Sequence, residues 1–365
     1  MRVLHISSAK SMRGGEHQVC LLISELSSLG IENILLCPSG SELSKRQIPG
    51  LTKLVTYMKL SPANILVSAF IKKLGDKENV DIIHLHDPHS HQFAFYAYRL
   101  FSNKIASVVT RRVSFPIKNS SRPYYTHPLI KQVICVSNSV ADSLKNLRLE
   151  KNKIRVIPSG IVLADNNDDL SLRKKFNIGS DINVIANLAA ISPQKDYITF
   201  VKTASVFLKR YDHKVIFVIV GADQGDKAKV QSLINELGVS EHIIFTGYIR
   251  EAYRYLLDVD VLLSTSVSEG LGNTIQESMK YKTTIVATNC EGTIDLVEDQ
   301  VSALLANIGD HDKLAEQVNQ VLSDDDLAKK LTEKAYAAIQ RYDIKKTSKL
   351  VLDLYTEVLS LDHNI

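Results

Sequence analysis

Short apolar runs alternate with helical patterns twice along these 365 residues, and that alternation leaves few folds open. In the first half the runs are Val3 to Ile6, Asn33 to Cys37, Lys53 to Tyr57, Ile82 to Leu85, Ser107 to Thr110, Gln132 to Val136 and Ile154 to Ile157. In the second half they are Asn183 to Leu188, Val215 to Val220, Ile243 to Phe245, Val259 to Leu263 and Thr284 to Ala287. Continuous apolar runs of this length read as strands buried on both faces, and helices between them cover those faces. The class is α/β, with two doubly wound, Rossmann-like parallel sheets. Pro158-Ser159-Gly160 closes the last run of the first half, and the acidic stretch Asp165 to Asp169 reads as a linker. The expected domains are 1–165, 166–342 and a C-terminal helical segment, 343–365, with Leu350, Val351, Leu354, Val358 and Leu361 on one face.

The longest apolar runs are too short to span a bilayer, and Met1 to Ile6 reads as a first strand rather than a signal peptide. Cys20, Cys37, Cys135 and Cys290 form no C-x-x-C pair and lie in or beside apolar segments. Buried free thiols in a reducing cytoplasm are expected. Charge is uneven. Met1 to Asp165 carries 22 basic and 11 acidic side chains, whereas the remainder carries 22 and 29. A basic first half fits an anionic acceptor or an acidic membrane surface, although scatter over a solvated face would give the same count.

The stretch Ser268-Glu269-Gly270-Leu271-Gly272-Asn273-Thr274-Ile275-Gln276-Glu277 joins an apolar strand to a helix. Two carboxylates flank a glycine turn, with Glu277 about one turn into the helix. Glycines let a backbone approach a ligand, amides at a helix N-terminus attract phosphate, and carboxylates accept from sugar hydroxyls. Lys195 follows a strand in Ala190-Ile191-Ser192-Pro193-Gln194-Lys195-Asp196, where an ammonium can meet a diphosphate. Gly14-Gly15-Glu16 follows the first strand as a glycine turn but is not G-x-G-x-x-G, so the dinucleotide fingerprint is absent. Arg111 and Arg112 leave the end of another strand and, with Arg13, could grip an anionic acceptor. The segment Ile117 to His127 reads as a mobile loop.

Two patterns invite a metal. His84-Leu85-His86-Asp87-Pro88-His89-Ser90-His91 nearly matches a zinc hydrolase pattern, but Pro88 stands where that pattern needs its aspartate. Asp258-Val259-Asp260 is a lone D-x-D before a buried strand, which is weak evidence. No metal is expected. Asp324-Asp325-Asp326 reads as a helix N-terminus.

The E-x7-E spacing of Glu269 and Glu277, the Gly-Gly loop, the His-x-His, Lys195 and the linker occur in the order found in retaining glycosyltransferases of family 4, which the chain resembles over nearly its whole length. That resemblance implies a GT-B fold, two Rossmann-like domains facing across a cleft, with the terminal helix crossing back to the first domain. It implies transfer of a sugar from a nucleotide-sugar, the co-substrate, to an acceptor hydroxyl with retained anomeric configuration and no other cofactor. Glu269, His86 and Lys195 would be catalytic. Gly14, Gly15, Gly221, Tyr248, Ile249, Gly270, Leu271, Gly272, Asn273, Thr274 and Glu277 would hold the donor. Arg13, Arg111 and Arg112 would face the acceptor. His86 would bond a sugar hydroxyl, Glu277 the ribose, and the Gly247-Tyr248-Ile249 backbone the base. Two departures stand out. Ala190 replaces a family arginine that pairs with the lysine, and Asn289-Cys290-Glu291-Gly292-Thr293-Ile294-Asp295 lacks one glycine and ends in Asp rather than Glu. The implied setting is bacterial lipopolysaccharide or other envelope glycan synthesis. It places the chain in the cytoplasm or at the cytoplasmic face of the inner membrane, with an anionic or lipid-linked acceptor and no nucleic acid. A nucleotide-sugar 2-epimerase on the same fold and a catalytically silent sugar-nucleotide binding module remain as alternatives.

Overall fold

The computed structural model describes all residues except 59–64, 165–170 and 363–365. The predicted linker Asp165 to Asp169 lies outside the described residues. The chain divides into two compact units, Met1–Val162 with Tyr342–Ile365, and Leu163–Arg341. Each is described by itself.

The first unit is built on seven parallel strands: β1 (Arg2–Ile6), β2 (Glu32–Pro38), β3 (Lys53–Tyr57), β4 (Ile82–Leu85), β5 (Ser107–Arg111), β6 (Ile130–Cys135) and β7 (Ile154–Val156), in the order β3-β2-β1-β4-β5-β6-β7. The order reverses between β1 and β4, so the loops leaving these two strands diverge and open a crevice at the strands' carboxyl ends. His5 pairs in register with His84 across that junction.

The final helix, Ile344–Asp362, belongs to this unit. It buries Val351, Leu354, Tyr355 and Val358 against Val3, Leu22, Leu26, Ile82 and Val108. Leu350, expected on that face, is 49% exposed. It lies four residues before Leu354, yet the face is centred on Val351, Leu354, Tyr355 and Val358, which leaves Leu350 at its edge. Gly160 makes the close approach possible, since a Cβ there would lie 2.6 Å from the Ile344 Cα. The Gln18 side chain locks the same glycine, donating to its carbonyl at 2.8 Å and accepting from its N–H at 3.1 Å.

The second unit has six parallel strands: β8 (Asn183–Leu188), β9 (Val215–Val220), β10 (Ile243–Gly247), β11 (Val261–Ser264), β12 (Thr284–Thr288) and β13 (Leu304–Ala306), ordered β10-β9-β8-β11-β12-β13. Its reversal lies between β8 and β11. The sheet and the helices Tyr197–Arg210 and His311–Ser323 enclose a core rich in Phe200, Phe207, Phe217 and Leu314. β13 has no counterpart among the sequence-predicted strands because only three residues pair. β11 starts at Val261, two residues later than the apolar run, because Asp258 and Asp260 act before it. Asp258 accepts from the Ser171 hydroxyl and the Arg173 N–H, and Asp260 accepts from the Val184 N–H at 2.7 Å and the Arg173 guanidinium at 2.8 Å. The D-x-D therefore clasps the unit's own chain.

All four cysteines are buried and free. Among the described residues, no helix is long and apolar enough to cross a membrane.

Candidate active site

In the second unit the loops leaving β8 and β11 are tied together at the strand-order reversal. The β8 loop ends in a short turn, Pro193–Lys195, and Asp196 then caps the helix Tyr197–Arg210 through Thr199. The Thr265 hydroxyl donates to the carbonyls of Lys195 and Asp196, and the Val267 N–H donates to the Gln194 carbonyl at 2.9 Å. Thr274 donates to the Leu188 carbonyl at 2.8 Å. These bonds place Lys195 directly over Glu269, whose Oε1 accepts from both the Lys195 ammonium and the Ser266 hydroxyl. The other oxygen, Oε2, takes no hydrogen bond among the described residues. Gly292 completes the support. A Cβ there would lie 2.6 Å from the Glu269 carbonyl oxygen and 2.7 Å from its Cβ, so only glycine lets this segment reach the acid.

The helix Asn273–Tyr281 starts at Gly272 without a side-chain cap, which leaves its first amides open to an anion. Leu271 is buried beneath this turn, and Asn273 takes the first helical position. Glu277 lies one turn further on. Burial raises its carboxyl to about 7 against the pull of Lys280, and no donor among the described residues bonds it. Lys280 instead donates to the Ala164 carbonyl at 3.0 Å. A desolvated carboxylate without donors has a high affinity for hydroxyl groups.

Gly221 ends β9 under a strict constraint: a Cβ would lie 1.9 Å from the Ala189 carbonyl oxygen. Its role in the fold is to let the β8 and β9 loops touch. Gly247 carries a left-handed φ of 71°, and its carbonyl accepts from the Gly221 N–H at 3.0 Å. Tyr248 is 61% exposed and Ile249 half-buried just beyond.

The first unit has a different character. Gly14 and Gly15 form no separate turn but begin the helix Gly14–Ser28, with the exposed Arg13 at its N-cap and Glu16 accepting from the Arg13 N–H at 3.0 Å. Asp87 is a structural cap. Its carboxylate accepts from the His89 and Ser90 amides and from the Ser8 N–H and hydroxyl, so it pins the β1 loop to the start of the helix Pro88–Phe101.

The histidines are wired in one direction. The Asn33 amide nitrogen donates to the Ile31 and Ile23 carbonyls, which turns its oxygen toward His5 Nε2 at 3.0 Å. His5 Nε2 must therefore carry the proton, and His5 Nδ1 accepts from His86 Nε2–H at 3.0 Å. His86 Nδ1 then accepts from Arg112 Nη2 at 3.5 Å, while Arg112 Nη1 donates to the His86 carbonyl at 3.1 Å. His84 bonds the Tyr355 and Thr110 hydroxyls. Burial lowers His5 to about 4 and holds His84 and His86 well below the ordinary histidine range, so all three rings are neutral. One nitrogen from each ring lies within 4.8 Å of the others, a spacing a cation could use. Here, however, a proton already bridges His5 and His86, the Arg112 charge stands beside them, and no carboxylate belongs to the group.

His86 is only 7% exposed, with both ring nitrogens engaged. It holds Arg112 rather than presenting a ring atom to a sugar. Arg111 is also turned inward. Its guanidinium donates to Ser143, Tyr125 and the Phe115 carbonyl. Those bonds order the segment expected to be mobile, which contains a turn at Asn119–Ser121, the helix Pro123–Thr126 and a buried Tyr125. Arg112 remains charged, pushed down to about 10 by burial while Glu16 and Asp87 favour the cation.

Sequence reasoning missed Ser266, Thr265, Thr288, His5 and Asn33. A signal for the first two exists in Ser264-Thr265-Ser266, where an apolar strand gives way to three hydroxyls at its carboxyl end. His5 and Asn33 are polar residues inside apolar strands, but only strand order shows that they meet.

The model for Glycosyltransferase Family 4 matches residues 12–165, and the model for Glycosyl transferases group 1 matches residues 168–338. The lipopolysaccharide core biosynthesis glycosyltransferase LpsE of Rhizobium meliloti is 24% identical over 367 residues, 99% of each chain. A solved glycosyltransferase from Rickettsia africae shares the fold with a TM-score of 0.82 at 23% identity, over 98% of each chain. HepE of Anabaena, solved with UDP and glucose, gives 0.84 at 16% identity, over 98% of this chain and 100% of its own. The chain belongs to the GT-B glycosyltransferases. In this glycosyltransferase the group 1 match spans Lys195, Glu269 and Glu277, and the family 4 match spans Asn33, His86, Arg111 and Arg112 but begins after His5.

Proposed function

We propose that this glycosyltransferase is retaining and metal-independent, and that it moves a sugar from a nucleotide-sugar to an acceptor hydroxyl in bacterial lipopolysaccharide or related envelope glycan synthesis. The observation that carries the reading is the pairing, in one loop-helix segment, of a carboxylate with one oxygen that takes no hydrogen bond among the described residues and a half-buried, desolvated carboxylate that no donor among them bonds. Glu277 accepts from the ribose hydroxyls. Glu269 accepts from donor sugar hydroxyls through Oε2 and steadies positive charge developing at the anomeric carbon. Lys195 and the open amides of the helix Asn273–Tyr281 stabilise the departing diphosphate, which is electrostatic catalysis at a preorganised site. The Gly247-Tyr248-Ile249 backbone meets the base. In the first unit, Arg112, held by His86, and the exposed Arg13 supply positive charge for an anionic or lipid-linked acceptor.

Support for a nucleotide-sugar comes from HepE, solved with UDP-glucose. Support for an envelope acceptor comes from LpsE and from the UDP-Gal:alpha-D-GlcNAc-diphosphoundecaprenol alpha-1,3-galactosyltransferase of Escherichia coli, 22% identical over 86% of this chain and 83% of its own. The basic first half fits a peripheral position at the cytoplasmic face of the inner membrane.

The test is a pair of variants. Glu277→Ala weakens donor binding, and Glu269→Ala mainly lowers turnover. Wild-type activity in both, at limiting and saturating donor, refutes the assignment.

A further inference from the structure

Glu269 carries two unlike oxygens. Oε1 receives the Lys195 ammonium and, at 2.8 Å, the Ser266 hydroxyl, while Oε2 receives nothing among the described residues. Ser266 is itself 1% exposed and anchored from behind, since the Thr288 hydroxyl donates to its carbonyl at 2.5 Å. The Thr265 hydroxyl, one residue earlier, holds the Lys195 and Asp196 carbonyls. The acid is therefore gripped by a rigid hydroxyl on its own loop and by a flexible ammonium on a neighbouring one.

Those two grips differ in what a donor does to them. A diphosphate carries more charge than one carboxylate and draws the Lys195 ammonium toward itself. As Lys195 turns, Glu269 loses its ion-pair partner while its carboxylate must stay in place for the sugar. Ser266 has no competing acceptor among the described residues and remains.

We infer that Ser266 is a positioning residue for Glu269: it fixes Oε1 throughout the reaction so that Oε2 alone is offered to the donor sugar once Lys195 has moved to the diphosphate. The inference rests on the proposed roles of Glu269 and Lys195. It adds that the acid binds the sugar through a single oxygen and that its aim depends on a neutral hydroxyl rather than on the ion pair.

The test is a double-mutant cycle on turnover. Donor hydrolysis and transfer are measured with UDP-glucose, UDP-galactose, UDP-N-acetylglucosamine, GDP-mannose and ADP-glucose, and the substrate with the highest kcat/KM is carried forward. Ser266→Ala is expected to lower kcat about tenfold or more with donor KM changed less than about threefold, because the lost bond acts on a charged group. Ser266→Thr, which keeps the hydroxyl, recovers most of that loss, and Ser266→Cys, a near-isosteric weak donor, falls between. In a Glu269→Ala background, Ser266→Ala should cost less than about twofold more, since the group it aims is gone.

An additive double mutant, or a Ser266→Ala enzyme with unchanged kcat, overturns the inference while leaving Glu269 in its role. Full activity in Glu269→Ala instead overturns the underlying reading. The unfolding midpoint without ligand separates aim from fold. If Ser266→Ala melts well below wild type, Ser266→Cys carries the comparison, and wild-type turnover in that variant also overturns the inference.

Discussion

Glu277 offers the sharpest quantitative prediction, because one group sets both stability and donor affinity. Its carboxyl is raised from 4.5 to about 7, first by burial and with Lys280 opposing. The other titratable group coupled to it is Tyr253, whose own hydroxyl is pushed up to about 12, first by burial and then by the Glu251 and Glu277 charges. The folded-state value lies above the unfolded one. The folded protein therefore holds an extra proton between those values, and stability falls as pH rises from 4.5 through 7 and then levels off. At 1.36 kcal/mol per pKa unit, and allowing for partial exposure, the ionised acid costs the second unit about 2 to 3 kcal/mol above pH 7. Glu277→Gln should then melt higher than wild type at pH 8 and nearly equal to it at pH 4.5.

Donor binding runs the other way. In the proposed role of Glu277, ribose hydroxyls donate to the ionised form, so a donor must drive the proton off. With a free value of about 7 and a bound value lowered well out of that range, affinity falls about tenfold from pH 8 to pH 6. UDP-glucose is the suitable probe, since its diphosphate diester does not titrate in that range. Calorimetry at pH 7 in buffers of different ionisation heat should register about half a proton released per site. In Glu277→Gln the pH slope disappears and affinity at pH 8 drops. An affinity flat from pH 6 to 8 in the wild type, or the same slope in the variant, refutes the reasoning.

Gly292→Ala should cost about 1 to 3 kcal/mol through overpacking against Glu269 and lower kcat, read by denaturant melts and turnover together. Gly221→Ala, facing the Ala189 carbonyl at 1.9 Å, should destabilise more, with soluble yield as a first readout. The relay predicts that His5 and His86 both carry their proton on Nε2 at pH 7, which nitrogen-15 NMR of labelled histidine reads directly; a proton on His86 Nδ1 would contradict it. Chelation with EDTA should leave transfer activity unchanged if the reaction is metal-independent, and restoration by added magnesium or manganese would refute that.

The strands were legible because their buried faces are written as unbroken apolar runs, and Asn183 to Leu188 and Val215 to Val220 match β8 and β9 at both ends. β13 was not, because three residues carry too little pattern to stand out. In the second unit, Glu269, Glu277 and Lys195 stood out by order and spacing along the chain, and the fold brings the Lys195 ammonium onto Glu269. What spacing does not contain is the bonding state of a group. Arg111 and Arg112 look alike as neighbours in sequence. Yet Arg111 sits in β5 and turns into Ser143, Tyr125 and Phe115, while Arg112 follows the strand and meets His86.

The same distinction explains why two crevices at equivalent positions in the two sheets have unequal chemistry. In the first unit the ring nitrogens of His5 and His86 are all engaged along the Asn33-His5-His86-Arg112 chain, each proton assigned by the one before it, while the buried Arg112 Nε is left without a partner among the described residues. Such a chain holds a cation still but offers no free hydrogen-bonding atom of its rings. In the second unit, Oε2 of Glu269 and the carboxylate of Glu277 have no donors among the described residues, and the half-buried Glu277 is raised to about 7 by desolvation. Folding alone does not favour leaving such groups unmatched, since each costs desolvation free energy. A ligand that donates hydroxyls recovers that cost only when it binds. On the proposed function, the second unit is therefore where a polyol would gain binding free energy, and the first is where an anionic acceptor would meet a fixed positive charge.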